Sequence, residues 1–330
     1  MISSALSLLA VTGNQIVTVP GGQAIRLRGL NRSGLEYSLR AEGNVLATAG
    51  ISESELDAIS AWGANLIRLP FNQSWVLTTD DYDAEPYLQA LDCVVGWASA
   101  LGMYTLLDLQ WIDHLTPRGY LQDGSPNFVP ALPDLASLTA WRLLARRYSR
   151  EPAVLYDLFN EPHDLLAGDP HPLRVIRPDG TLLGVRGRRV KAAAWHPWAK
   201  ALVAAIRAEN PVALIFASGL DWGYDLADFP LASVEGVVYS SHVYPQKKKH
   251  WDQAFGNLSR THPVFVGELG GRDIDLAWGE KLLSYLDERQ IGWAAWSWSD
   301  NPRLLHPGPG YRPTIFGALV RQSLLNRVRA

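Results

Sequence analysis

The hydrophobic positions of this chain fall into eight short apolar runs, separated by longer stretches in which apolar residues recur with a helical period. Several of the runs are continuously apolar, as expected for parallel strands that helices cover on both faces. They lie at residues 25–31, 65–71, 104–111, 154–160, 213–218, 236–244, 264–268 and 292–297. The alternation predicts an α/β protein in which eight βα units close into a single (β/α)8 TIM barrel, with residues 1–330 in one domain.

The helical stretches fit between these runs. We predict helices at residues 52–62, 86–101, 135–148, 192–209, 276–289 and 315–327. Ser52 and Glu55 have the spacing of a capping box, and Gly102 is a typical stop at a helix C-terminus. Only residues 225–233 are available between the fifth and sixth runs, so we expect a short or irregular helix there.

Two segments lie outside the alternation of predicted strands and helices. Residues 1–23 are predicted to form an N-terminal β-hairpin that turns at Pro20-Gly21-Gly22. Residues 163–189 follow the fourth run and contain Arg177-Pro178-Asp179-Gly180, a good turn signal. We interpret this segment as an inserted, hairpin-bearing loop at the C-terminal mouth of the barrel, where it either borders the functional site or covers the rim as packing.

Composition narrows the range of partners. A net charge of −3 gives no long-range attraction to nucleic acid or anionic lipid, and the lysines at 247–249 are interpreted as a solvated face. The chain has no apolar run of about 20 residues that could span a bilayer. Its start lacks a basic segment, so no signal peptide is expected in it. The single cysteine, Cys93, excludes an intramolecular disulfide and argues against a cysteine-based metal site.

Two glutamates stand at strand ends that face the same barrel mouth. Glu161 follows the fourth run after Asn160, and Glu268 ends the seventh run. A single glutamate in such a place is more often a solvated rim residue. A pair across one mouth suits hydrolysis of a glycosidic bond, in which one carboxyl group acts as acid/base and the other as nucleophile. The 13 Trp and 12 Tyr residues agree with a site that stacks on sugar faces.

Other strand ends supply polar groups to the same face. Arg68 ends the second strand, and an arginine inside a barrel needs a partner such as Glu268, which it would keep ionised. His242 and Tyr244 share one face of the sixth strand and are predicted to hydrogen-bond the two carboxyl groups. The eighth strand brings Trp293, Trp296 and Trp298, one of which is expected to floor a sugar subsite while the others pack against helices.

In this order, these residues resemble glycoside hydrolase family 5, the cellulase-like family with catalytic glutamates at the ends of barrel strands four and seven. The segments that carry the resemblance are Leu27-Arg28-Gly29-Leu30-Asn31, Ile67-Arg68-Leu69-Pro70, Phe159-Asn160-Glu161-Pro162, Ser241-His242-Val243-Tyr244-Pro245, Val266-Gly267-Glu268 and Ala295-Trp296-Ser297-Trp298. They are spread over nearly the whole chain.

The resemblance implies residue roles. Glu161 would be the acid/base, Glu268 the nucleophile and Asn160 the contact to the sugar 2-hydroxyl. Arg68 and Tyr244 would orient Glu268, His242 would border the acid/base, and Trp296 would be the stacking floor. Gln110 and Trp111 end the third strand and would bind substrate, although the family usually has His where Gln110 stands.

The resemblance further implies a retaining endo-β-1,4-glucanase that acts on a β-linked oligo- or polysaccharide, with endo-β-1,4-mannanase or another β-glycosidase as alternatives. Two rivals are a carbohydrate-binding barrel without hydrolysis and a phosphate-handling barrel. The latter is suggested by the glycines at 267–271, which close packing explains better. We expect no metal and no cofactor, no nucleic-acid or membrane partner, a monomer, and a secreted, extracellular location.

Overall fold

Eight parallel strands close into a barrel in the computed structural model, which describes residues 6–37, 44–112, 129–170 and 172–326. The described strands are β1 (Leu8–Thr12), β2 (Gln15–Val19), β3 (Arg28–Asn31), β4 (Leu66–Asn72), β5 (Tyr104–Trp111), β6 (Val154–Asp157), β7 (Leu173–Ile176), β8 (Leu182–Val185), β9 (Ile215–Ser218), β10 (Val237–Val243), β11 (Val264–Leu269) and β12 (Gly292–Ala295). The barrel order is β3-β4-β5-β6-β9-β10-β11-β12. The eight predicted runs are therefore the eight barrel strands, in chain order.

The described α-helices surround the barrel. They are α1 (Val45–Ala49), α2 (Glu53–Ala61), α3 (Gln73–Val76), α4 (Glu85–Ala100), α5 (Leu135–Arg147), α6 (Ala192–Glu209), α7 (Leu276–Glu288) and α8 (Ile315–Leu325). Helices α2 and α4 to α8 confirm the six predicted ones, while α1 and α3 are short and were not predicted. Parts of three predicted segments lie outside the described residues, namely residues 1–5, 171 and 327. No described helix is long and apolar enough to cross a membrane.

The predicted capping box at α2 is wrong. Ser52 occupies the N-cap position, but its side chain makes no capping hydrogen bond. Glu55 turns inward, where it accepts hydrogen bonds from Nε of Arg32 at 2.6 Å and from Nε1 of Trp298 at 2.9 Å. A buried ion pair with an added indole donor satisfies this carboxylate better than a backbone N–H at a helix end would.

The helix expected at residues 225–233 is also absent from the described structure, which has turns there. Pro230 lacks a backbone N–H and disfavours a helical conformation of the residue before it. Neighbouring segments take up the backbone donors of this stretch: Leu226 N–H bonds the carbonyl of Ala254 at 2.7 Å, and Leu231 N–H bonds the hydroxyl of Tyr239 at 3.1 Å.

The N-terminal hairpin closes the end of the barrel opposite the strand C-termini. Strands β1 and β2 pair antiparallel and turn at Gly13 and Asn14, so the turn predicted at Pro20–Gly22 is instead a second reversal that leads into the barrel. Leu9 and Ile16 of the hairpin join an apolar cluster with inward-facing residues of the barrel strands, among them Leu66 and Leu106. This apolar plug forms the lower layer of the barrel interior.

The inserted segment after β6 contains the predicted hairpin, in which β7 and β8 pair antiparallel around the turn at 177–181. Leu173 and Ile176 are buried in the main core, and Nε1 of Trp198 on α6 donates to the carbonyl of Arg174 at 3.0 Å. None of the described residues from 164 to 189 lines the large cavity at the barrel mouth. The structure therefore favours the packing interpretation of this hairpin.

Candidate active site

A cavity of about 1380 Å³ opens at the mouth where the C-terminal ends of the strands converge. Seven of the residues predicted for the site line it, namely Gln110, Trp111, Asn160, Glu161, Tyr244, Glu268 and Trp296. The other two, Arg68 and His242, are fully buried beneath it. The structure thus brings the whole predicted set to one place.

The two glutamates approach each other closely. One carboxylate oxygen of Glu161, one of Glu268 and one ring nitrogen of His242 all lie within 4.8 Å of one another. Nδ1 of His242 is 2.9 Å from Oε1 of Glu161 and 3.7 Å from Oε1 of Glu268. Retaining glycosidases place their carboxyl groups about 5 to 5.5 Å apart, and inverting enzymes about 6.5 to 9.5 Å.

Arg68 holds the floor of this site together. Its guanidinium donates to Oε1 of Glu268 and Oδ2 of Asp157 at 2.9 Å each, and lies 2.9 Å from Oδ1 of Asp108. The same group donates to Asn31 at 2.9 Å and to Asn160 at 3.0 Å. One buried cation therefore fixes the nucleophile candidate and the neighbouring amide in a single network.

Burial governs the proton affinities in this network. It raises the pKa of Asp108 well above its usual range and the pKa of Asp157 to about 6, although Arg68 opposes both shifts. Burial alone would lower the pKa of Arg68, but its three carboxylate neighbours raise it overall. The arginine therefore stays charged at every working pH.

Burial shifts the pKa values of Glu161 and of its neighbour His242 in opposite directions. It raises the pKa of Glu161 to about 7, against the opposing charges of Lys247, His163 and Arg68. It lowers the pKa of His242 to about 3, so this imidazole is neutral near pH 7. Removal from water is the largest cause of the raised pKa of Glu161.

Tyr244 completes the setting of Glu268. Its hydroxyl donates to Oε2 of Glu268 at 2.6 Å, so each oxygen of this carboxylate has a donor. Glycines allow this packing, because a β-carbon at Gly267 would lie 3.0 Å from Nε2 of His242, and one at Gly270 would lie 2.8 Å from the ring of Tyr244. Gly267 in β11 and Gly270 after it therefore allow close packing around the site.

Of the three tryptophans in and after β12, one lines the cavity and two are fully buried, as expected. Trp296 is 7% exposed, lines the cavity and donates its Nε1–H to the carbonyl of Asn301 at 2.9 Å. Trp293 and Trp298 are fully buried, and Trp298 packs edge-on against Trp62 of the C-terminal end of α2. Trp296 is therefore the indole of this strand end that can meet a ligand.

Gln110 and Trp111 bring polar atoms to the opposite wall. Oε1 of Gln110 and Nε1 of Trp111 are buried and have no hydrogen-bond partner within the described part of the chain. An unpaired buried polar group is costly, so both atoms suit a ligand that supplies the missing partners.

Sequence reasoning missed several residues of the site. Asp157 and Asp108 hold Arg68, and the inward alternation from Leu155 and Leu106 pointed to them. Trp222 lines the cavity and stacks on His163 with ring centroids 3.7 Å apart. Loop conformation brought these two together, and no sequence pattern indicated it.

The lysines at 247–249 do not form the uniformly solvated face that we expected. The side chain of Lys247 is only 12% exposed and lines the cavity. Lys249 is paired with Asp225 at 2.7 Å, whereas Lys248 is exposed. A turn closed by the hydrogen bond from the Lys247 N–H to the carbonyl of Tyr244 at 3.1 Å follows β10, and all three lysines border the cavity.

The barrel, the close carboxyl pair and the aromatic cavity define a barrel enzyme that hydrolyses glycosidic bonds. The chain belongs to glycosyl hydrolase family 5, because the family model described as Cellulase (glycosyl hydrolase family 5) matches residues 20–302.

Relatives and solved structures agree with this assignment. An endoglucanase of Paenibacillus polymyxa is 27% identical over 88% of this chain and 79% of its own length. Endoglucanase E-5 of Thermobifida fusca is 24% identical over 86% of this chain, which spans only 54% of that protein. A β-glucanase of Saccharophagus degradans, also solved with cellotetraose, is 25% identical with a TM-score of 0.75 over 98% of this chain and 94% of the other.

We predict that Arg68→Met destabilises the protein by about 3–5 kcal/mol, because it leaves buried carboxylates without their cation. The change in unfolding free energy is measured by chemical denaturation. Arg146→Met is the matched control, since that arginine pairs with Glu209 at 2.8 Å while 74% exposed, and its loss should barely move the unfolding midpoint. Equal effects of the two variants would contradict the assigned importance of the Arg68 network.

Proposed function

We propose that this protein is a retaining endo-β-1,4-glucanase that hydrolyses β-1,4-linked glucan by double displacement. The observation that carries the proposal is the short separation of Glu161 and Glu268, whose nearest oxygens and the His242 nitrogen lie within 4.8 Å of one another. The endoglucanases among its relatives support glucan as the substrate.

In the first step, Glu161 protonates the leaving oxygen while Glu268 attacks the anomeric carbon, which gives a covalent glycosyl-enzyme. Glu161, now a carboxylate, then activates water to release the sugar. Arg68 and Tyr244 both donate to Glu268 and hold its carboxylate for attack. Oδ1 of Asn160 is used by Arg68, which leaves the amide donor of Asn160 for the sugar 2-hydroxyl.

The shape of the cavity supports attack within a polymer. Its lining residues follow strands on opposite sides of the barrel, with Tyr37 after β3 and Trp222 after β9, and the inserted hairpin does not border it. Trp296 is proposed as the sugar-stacking floor, and the unpaired atoms of Gln110 and Trp111 as partners for sugar hydroxyls. A monomer without metal or cofactor is part of this proposal. A secreted location is supported by one relative described as a major extracellular endoglucanase.

Product analysis tests the substrate and the mode of attack together. Soluble β-1,4-glucan, mannan, xylan and short oligosaccharides are digested, and the products are separated over time. We expect a rapid fall in glucan viscosity with cello-oligosaccharide products, unchanged after dialysis against a chelator. Faster release from mannan would reassign the protein as a β-mannanase, and binding without any product would identify a non-hydrolytic barrel.

The two glutamates are tested with an aryl β-cellobioside whose leaving group needs no proton. Glu268→Gln should lower kcat/KM on the order of 10⁴-fold, because the covalent step is lost. Glu161→Gln should still form the glycosyl-enzyme and give a burst of product followed by slow turnover. Glu235→Gln, at an exposed glutamate, is the control and should keep full activity. Near wild-type turnover in both site variants would refute the assignment.

The pH profile follows from the proton on Glu161. The acid form is needed for the first step and the pKa of this carboxyl is about 7, so kcat/KM should fall as pH rises through about 7. His242 adds no limb near neutrality, since its pKa is about 3. The profile is measured on an unactivated cello-oligosaccharide. A rate that stays flat to pH 9 would argue against Glu161 as the acid.

A further inference from the structure

Lys247 holds a place that an ordinary surface lysine does not. It lies three residues beyond Tyr244, its side chain is 12% exposed, and it lines the same cavity as Glu161. Its Nζ donates to the main-chain carbonyl of Asp221, lies 3.6 Å from Oδ2 of the same residue, and is 5.4 Å from the ring centre of Tyr224. A lysine gives up hydration in this way only where fixed partners replace it.

The partner of Lys247 is the tip of the loop that follows β9. Asp221 and Trp222 both adopt left-handed backbone conformations, with φ of 52° and 57°, which side-chain-bearing residues disfavour. The N–H of Trp222 donates to the carbonyl of Pro162 at 3.1 Å, and its indole stacks on His163. His163 in turn has Nδ1 2.6 Å from the carbonyl of Glu161. The tip therefore forms the wall behind Glu161.

We propose that Lys247 is a positioning residue for the hydrolytic reaction, which fastens the Asp221–Trp222 tip against Glu161 and places a positive charge on that side of the cleft. The inference rests on the proposed acid/base role of Glu161. It assigns a function to a residue whose sequence context indicated only a solvated lysine.

Several charged or titratable groups face Glu161 from the elements around it. They are Arg68 on β4, His163 on its own segment, Asp221 after β9, His242 on β10, Lys247 beyond β10 and Glu268 on β11. Tyr244 of the same β10 end is neutral, because burial raises its pKa well above 10. Among these, Lys247 lowers the pKa of Glu161 more than His163 or Arg68 does, while Asp221 raises it. Lys247 and Asp221 therefore act on the acid/base with opposite signs.

The test is the basic limb of the kcat/KM profile, with all variants measured in the same buffer and each normalised to its own maximum. Lys247→Met should move the limb to higher pH. At pH 8 its normalised kcat/KM should be at least about twice that of the wild-type protein. Asp221→Asn should move the limb to lower pH, and asparagine tolerates the left-handed backbone there. Lys247→Arg should keep the limb near the wild-type position.

Lys281→Met is the matched control, because Lys281 is exposed on α7 and does not line the cavity, and its limb should not move. The positioning role adds a second readout: Lys247→Met should raise KM for a long cello-oligosaccharide more than for an aryl cellobioside, which reaches less far past Glu161. If Lys247→Met only disordered the Asp221–Trp222 tip, kcat/KM would fall by the same factor at every pH and the normalised limb would not move.

The outcomes separate the two levels of the proposal. Full activity of Glu161→Gln on the unactivated cello-oligosaccharide would overturn the acid/base assignment itself. An inactive Glu161→Gln protein, combined with unmoved limbs in both Lys247→Met and Asp221→Asn, would overturn the role of Lys247 alone. Should Lys247→Met fail to fold, Asp221→Asn and Lys247→Arg decide: a downward shift in the first with an unmoved limb in the second supports the role, and any other pair of results rejects it.

Discussion

A single buried guanidinium organises the upper interior of the barrel. Arg68 is fully excluded from solvent and meets Asp108, Asp157 and Glu268 at 2.9 Å each. The desolvation of such a cation is recovered only when its partners are well oriented, so the strands that carry them must keep their register. The site and the fold are therefore stabilised by the same contacts, and a change at Glu268 alters both.

Around this cluster, two similar carboxyl groups acquire different chemistry from their surroundings. Glu268 receives hydrogen bonds on both oxygens, from Arg68 and Tyr244, which fix the orientation of its carboxylate. Glu161, whose side chain is 19% exposed, lies beside an imidazole that stays neutral, and its partial burial raises its pKa to about 7. Environment rather than residue type thus separates the proposed nucleophile from the proposed proton donor.

Much of this arrangement could be predicted from the sequence, because long apolar runs and strand ends specify a barrel and its mouth. Two partners of Arg68, Asp108 and Asp157, were not predicted, although Asp157 follows the inward-facing Leu155 by two positions. The contacts of Lys247 with Asp221 and of Trp222 with His163 could not be predicted, since they depend on loop conformations that no local pattern encodes. At Ser52 the sequence predicted a contact that does not form. Ser52 and Glu55 have the spacing of a capping box, but Glu55 pairs with the buried Arg32 instead.

The apolar plug beneath the barrel gives the interior a polarity gradient along its axis. Leu9 and Ile16 close the bottom with hydrocarbon, while the cavity above the charged layer opens at the mouth. A polysaccharide bound across that mouth would cover the open side of the cavity and exclude water from the charged layer. The substrate itself would then strengthen the electric field that acts on its own bond, and a shorter oligosaccharide that leaves the mouth partly open would feel less of that field.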